Sequence, residues 1–267
     1  MYHKKALKNL LAVFILLVCS AKLYAQDDAA ELAKKLANPV GSLISVPFQI
    51  NTDYGIGPLD GSRNIVNFQP VVPIVLSKNL NLITRMVLPI ITQYNITGVG
   101  QQQSGLGDAL VSAFFSPTTS GITWGAGPAL SIPTGTNDAF ASKKLGVGPT
   151  IVALKQTNGL TIGVLANQIW SIAGSGSTPS VSQAFIQPFI TYNWKTGAGL
   201  GGTLEWTQNW KANTTTMYLV PTVSGITSLG GQKVQLGVGP RFNIATVDGG
   251  RADLGWRAIV SFIFPKK

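Results

Sequence analysis

The chain has 267 residues, of which 11% are charged and 45% hydrophobic, with a formal net charge of +10 and a mean hydropathy of +0.26. An ordinary soluble domain carries roughly 25% charged residues, so the sequence is too apolar for a solvated surface of the usual kind. It also lacks the run of about 20 apolar residues that a membrane-spanning helix needs. The apolar residues must therefore be dispersed in alternation, the pattern a lipid-facing β-barrel requires.

The first segment reads as a secretory leader over residues 1–25. Lys4, Lys5 and Lys8 form a basic start, Leu10 to Cys19 an apolar stretch, and Tyr24-Ala25-Gln26 offers a small residue for cleavage. Val18 precedes Cys19, where lipoprotein processing prefers Gly or Ala, so the thiol reads as part of the apolar stretch. Cleavage would remove His3 and Cys19, which are the sole His and Cys. A Ser-His-Asp triad, a Cys-His pair and a His or Cys metal site are then excluded, and the chain reads as a non-enzyme without cofactors. Lys22 also falls in the leader, and the remaining basic residues are scattered. No basic stripe or aromatic platform for nucleic acid is present.

Residues 26–41 form a periplasmic N-terminal segment. Leu32, Lys34, Lys35 and Leu36 suit a short amphipathic helix that stops near Asn38-Pro39. A tether before the first strand is the favoured reading, and a plug or partner contact the alternative.

From Ser42 the period becomes two. Alternation is clean over 42–51, 80–94, 122–132, 198–209, 233–244 and 253–264. It is weaker over 64–76, 105–115, 145–155, 160–172, 181–194 and 216–227. This predicts an all-β fold: a transmembrane antiparallel up-and-down barrel of about twelve strands over residues 42–265, an even number as bacterial barrels require. The connections alternate between long (52–63, 95–104, 133–144) and short (77–79, 156–159, 195–197). Long loops at odd positions place both chain ends in the periplasm. Ser77-Lys78-Asn79, Asn158-Gly159 and Lys195-Thr196-Gly197 supply turn chemistry. A soluble sandwich would also alternate, but its second face would carry many charges. Here that face is mostly Gly, Ser, Thr, Asn and Gln.

Nine prolines, from Pro47 to Pro240, fall inside the predicted strands, although a closed barrel has no edge to accommodate a missing N–H. Gly-x-Gly-Pro recurs at Gly55–Pro58, Gly125–Pro128, Gly146–Pro149 and Gly237–Pro240, with no helix following. The glycines read as places where the wall bends or another backbone approaches. Trp124, Trp170, Trp194, Trp206, Trp210 and Trp256 fall near strand ends, as interfacial girdles would. Trp256, Ala258, Val260, Phe262 and Phe264 alternate and end on an aromatic, resembling the terminal signal read by the outer-membrane insertion machinery. The Pro265-Lys266-Lys267 tail departs from the usual terminal Phe.

Arg85, Asp108, Glu205, Arg241 and Arg257 fall on the inward face and are the lumen-lining candidates, because a charge facing lipid costs about 2–4 kcal/mol at the midplane. Arg85 and Asp108 fall on neighbouring strands, as do Arg241 and Arg257. A salt-bridge network filling a narrow lumen is the favoured reading, and a charge-selective constriction the alternative.

Several segments in order carry a family resemblance: Leu36-Ala37-Asn38-Pro39 with Ser45-Val46-Pro47-Phe48-Gln49, Gln69-Pro70-Val71-Val72-Pro73, Gly105-Leu106-Gly107-Asp108, Trp124-Gly125-Ala126-Gly127-Pro128 and Gly146-Val147-Gly148-Pro149-Thr150. Across about residues 36–265 the chain resembles the outer-membrane transporters grouped as "MetA-pathway of phenol degradation"-like, often mislabelled neuromedin U. The resemblance implies a barrel and, by name, passage of hydrophobic or aromatic compounds, with no catalytic residues. The expected partners are outer-membrane lipid, the insertion machinery and an unnamed small solute. The expected function is an outer-membrane channel. A structural or adhesion barrel with a closed lumen and a soluble periplasmic lipid-binding barrel are the alternatives.

Overall fold

The computed structural model describes residues 26–118, 121–176, 178–247 and 249–264, so the expected leader and the Pro265–Lys267 tail lie outside the described residues. A helix, α1 (Gln26–Leu36), precedes the strand segments β1 (Ile44–Ile56), β2 (Gly61–Phe68), β3 (Val71–Ser77), β4 (Leu80–Tyr94), β5 (Gln102–Leu106), β6 (Ala109–Pro117) and β7 (Ile122–Ile132). Then follow β8 (Lys144–Thr157), β9 (Leu160–Gly174), β10 (Ser182–Asn193), β11 (Ala198–Asn209), β12 (Thr214–Leu229), β13 (Gln232–Pro240), β14 (Phe242–Ala245) and β15 (Leu254–Phe264). Segments β2 and β3, β5 and β6, and β13 and β14 are each one wall strand, interrupted at 69–70, 107–108 and 241. The wall therefore has twelve antiparallel strands, each beside its sequence neighbour. Pairing of β1 with β15, from Ile44↔Phe264 to Tyr54↔Leu254, closes the barrel.

Alternation fixes the two faces. On β1, Ser45, Asn51 and Asp53 point inward and are buried, while Tyr54 points outward and is exposed. Ile122, Ile151, Ile162, Ile190, Leu200 and Val223, on six successive strands, are 49–58% exposed on the outer face. A soluble sandwich would bury these side chains against a second layer. Among the described residues no second layer covers them, and half-exposed aliphatics continue around the outside, the surface expected against hydrocarbon. The tryptophans sort to the two rims: Trp124 and Trp194 near the end bearing the termini, and Trp170, Trp206, Trp210 and Trp256 near the other. Trp206 and Trp210 meet edge-to-face at 6.3 Å, and the Trp210 indole N–H donates to Gln168 Oε1 at 3.0 Å.

The prolines are accommodated by windows in the ladder. Between β6 and β7, pairing skips from Ser112↔Ala129 to Phe115↔Ala126, passing over Gly127 and Pro128 with no change of register. Between β8 and β9 it skips from Val147↔Trp170 to Thr150↔Asn167, passing over Gly148 and Pro149. The opposite side of each proline stays paired, Pro128 directly across from Pro149. A proline lacks one donor, so one neighbouring carbonyl loses its partner. That carbonyl moves over the preceding glycine. A Cβ on Gly127, Gly148 or Gly239 would overlap the backbone oxygen of Ala113, Gln168 or Pro221 respectively. Three of the four Gly-x-Gly-Pro copies are thus one device, a proline window with a glycine that admits the displaced oxygen. The fourth differs: Gly55, at the bulge near the end of β1, and Gly57, in the β1–β2 turn, both have φ +69°.

At the end bearing the termini the connections are short, and Asn158-Gly159 has φ 47° and 83°, a hairpin turn with both central residues left-handed. The opposite end carries 95–101, 133–143, 175–181 and 246–253. The first of its connections is shorter than the sequence reading of 52–63. Alternation continues through Asn51 and Asp53, and the turn occupies only 57–60.

Candidate functional site

The lumen is the candidate site, and α1 enters it from the end bearing the termini. Ala29, Leu32, Ala33 and Leu36 make one stripe at helical spacing, with the first three buried. Lys34 and Lys35 in the last turn complement the helix dipole. Lys35 Nζ lies 2.6 Å from Glu31 and holds its carboxyl below the ordinary value. The helix ends at Leu36, and two residues on, the Oδ1 of Asn38 accepts from Val40 N at 3.0 Å.

Leu32 and Leu36 pack with Leu43, Ile226 and Ile263. Val40 reaches deeper, into a cluster with Ile83, Phe114, Val152, Leu154 and Leu165. Two barrel amides, Asn193 Nδ2 at 3.4 Å and Gln156 Nε2 at 2.9 Å, donate to the last-turn carbonyls of Ala33, which also accepts from Ala37 N, and Lys34. The segment is therefore a plug seated in the mouth. The favoured sequence reading, a tether, is corrected: the same apolar stripe finds its partner in the inner wall.

Above the plug the lumen holds two cavities, of about 260 Å³ next to residues 35–39 and about 640 Å³ toward the opposite end. Gln49, Gln69, Arg85 and Gln187 line both. Arg85 therefore stands at the junction, where its Nη2 donates to Gln69 Oε1 at 2.9 Å. Among the described residues it makes no ion pair.

The other four candidates are engaged elsewhere. Arg257 grips Glu205 with two bonds of 2.7 and 2.9 Å and donates through Nε to Asn51 at 2.7 Å. Arg241 pairs with Asp53 and stacks over Tyr218, its guanidinium carbon 3.2 Å from the ring centroid. Among the described residues Asp108 makes no ion pair. Its two oxygens accept from the backbone N–H of Gly135 and Ser142, at 3.1 and 2.8 Å, and from the Ser142 hydroxyl. It latches the 133–143 loop inward, with Phe140 against the larger cavity. The expected adjacency of Arg85 with Asp108 holds in the wall order but produces no contact. Arg241 and Arg257 take separate carboxylates.

Sequence reasoning missed Asp53 by placing it in a loop. Its signal was the continued alternation of Gln49, Asn51 and Asp53. Tyr218, which Arg241 covers, gave no signal, because ring contacts across strands depend on register.

Two outcomes follow. Glu205→Ala leaves Arg257, 3% exposed, without its carboxylate. A destabilisation of about 3–5 kcal/mol is expected, read as a lower temperature at which folded protein in detergent loses its unheated gel mobility. Asp108→Ala removes three acceptor contacts, and the 133–143 loop should become cleavable by protease while the wall stays intact. An unchanged cleavage rate would mean that the loop is held otherwise.

The fold defines the class: a twelve-stranded barrel of the outer-membrane type, apolar outside and plugged within. No protein-family model matches this chain. No curated protein matches it either. Among solved structures it is similar to an outer-membrane channel from Pseudomonas putida F1, with TM-score 0.65 and 17% identity over 85% of this chain and 97% of that chain. It also aligns with the outer membrane phospholipase A from Escherichia coli (TM-score 0.45, 11% identity, 89% of this chain and 98% of that one). The β domain of the Bordetella autotransporter Brka aligns with TM-score 0.48 and 10% identity, over 84% and 100% of the two chains. The first of these likenesses establishes a shared fold.

Proposed function

We propose that this chain is an outer-membrane channel for small solutes, gated by its own N-terminal segment and not an enzyme. The observation that carries the reading is the pair of cavities, lined by both polar and apolar side chains, that meet at Arg85 inside a barrel whose outside suits lipid. The described residues contain neither His nor Cys, which supports the non-enzyme reading. In this reading the end bearing the termini faces the periplasm, residues 1–25 are a cleaved leader, and β15 is read by the insertion machinery. The resemblance to the phenol-degradation group implies, by name alone, passage of small hydrophobic or aromatic compounds.

Osmotic swelling of liposomes carrying the refolded protein tests the proposal. Entry of small solutes is expected, and its absence, with α1 both present and removed, would leave a structural or adhesion barrel. The seated plug favours that second reading. Recovery of the protein in the soluble periplasm would rule out both. In a planar bilayer, Arg85→Glu should shift the ion preference toward cations, because the group at the junction changes sign while the paired arginines stay neutralised. Unchanged selectivity would remove Arg85 from the path.

A further inference from the structure

Part of the larger cavity's wall carries apolar side chains, interleaved with Ser131, Asn167 and Gln183. Val87, Ile91, Leu110, Phe140, Ile169 and Phe185 line it from β4, β6, the latched loop, β9 and β10. Asn51, Glu205, Thr207, Asn209 and Arg241 line it from β1, β11 and the β13–β14 break. Its volume, about 640 Å³, lies within the range of about 300–1,000 Å³ typical of small-molecule sites. Phe140 is fixed as a wall because Asp108 holds both ends of its loop. The two acids that line this space are occupied, Glu205 by Arg257 and Asp108 by backbone N–H groups. Of the two arginines that line it, Arg241 pairs with Asp53, and Arg85 has no carboxylate within salt-bridge reach among the described residues. The side-chain amides of Gln49, Gln69 and Gln187 stand at the same junction.

We propose that this cavity binds a small amphipathic anion, its apolar body against Val87, Ile91, Leu110, Phe140 and Phe185 and its carboxylate on Arg85. This rests on the channel reading for its physiological use, and it names the class of solute that the lumen retains. A cation finds no free acid in the cavity. A neutral molecule of the same shape gains the apolar wall but not the charge-assisted bonds to a guanidinium that no carboxylate salt-bridges, Glu205 acting on it only at longer range. An anion without a body gains the reverse.

The test uses the full barrel refolded into lipid nanodiscs, with empty nanodiscs as blank, and titrates phenylacetate, phenethyl alcohol, phenethylamine and acetate by calorimetry. The same four are added to single channels in a planar bilayer. Phenylacetate is expected to saturate and to bind at least about tenfold tighter than each of the others. Arg85→Gln should remove that advantage while leaving the unheated gel mobility of the folded form. Phe185→Ala should weaken phenylacetate and phenethyl alcohol together. Equal binding of acid, alcohol and amine, no saturable binding of phenylacetate, or no effect of Arg85→Gln would each overturn the proposal. If no ion or solute crosses the bilayer but phenylacetate still saturates, the channel reading falls and the site stands. If ions cross without discrimination and without saturation, the site falls alone.

Discussion

Gly148→Ala is expected to abolish the folded barrel, read as loss of the faster-migrating unheated form on gels after refolding. The added carbon would occupy the place of the Gln168 backbone oxygen. The obstacle is main chain, so no rotamer change relieves it, and β8 and β9 must separate along a ladder that runs from Lys144↔Gly174 to Thr157↔Leu160. Pro149 denies the strand any way to repair the window with its own N–H. Losses above about 4–5 kcal/mol come from such backbone-level conflicts. Gly127→Ala and Gly239→Ala meet the same obstacle at Ala113 and Pro221 and should behave alike. Gly225→Ala is the control: nothing lies within 4 Å of its Cβ position, and it should fold normally. A Gly148→Ala barrel with ordinary mobility would mean that the proline windows are loose, and the explanation of the repeated motif would fail.

The second large effect concerns the plug. Val40→Asp places a carboxylate among Ile83, Phe114, Val152, Leu154 and Leu165, where Val40 is buried. An unpaired charge in such a place costs several kcal/mol. The seated segment is held chiefly by four side chains, Leu32, Leu36, Val40 and Leu43, each contributing about 1.5–3 kcal/mol when fully buried. The least costly relief is for the segment to leave the mouth, since β1 begins only at Ile44 and keeps its pairing with β15. Single-channel conductance and liposome swelling should rise several-fold. A chain lacking residues 26–41 should show the same rise, which separates plug release from misfolding of the point variant. Conductance unchanged in both would show that the path does not pass the plug.

The strand faces were legible in the sequence because lipid outside and a polar lumen inside impose a period of two that nothing else in the chain imitates. Val46, Phe48 and Ile50 against Gln49 and Asn51 is such a stretch, and the closing strand from Leu254 to Phe264 another. The interruptions at 69–70, 107–108 and 241 were not legible, because each keeps inward and outward sides alternating on either flank. The prolines were visible as a conflict, but their resolution depends on which neighbouring carbonyl approaches, a fact of register. The candidate charges were found by face alone. Their partners were not: Arg257 reaches Glu205 at a sequence distance of 52 and Arg241 reaches Asp53 at 188. Asp108 was nominated as a pore charge, yet it satisfies backbone N–H groups on a loop, and no side-chain pattern announces that role. The helix was legible as amphipathic, but an apolar stripe does not say what it will meet.

The seam between β1 and β15 sets an order of events. Ile44 and Phe264 are partners from opposite ends of the wall, so a nascent polypeptide lacking its last dozen residues exposes two raw edges, on β1 and β13. In hydrocarbon every unpaired N–H and C=O along them costs several kcal/mol. No half-built wall can rest in a bilayer by itself. Maturation must wait for the final strand, or some other protein must lend a temporary edge until it arrives.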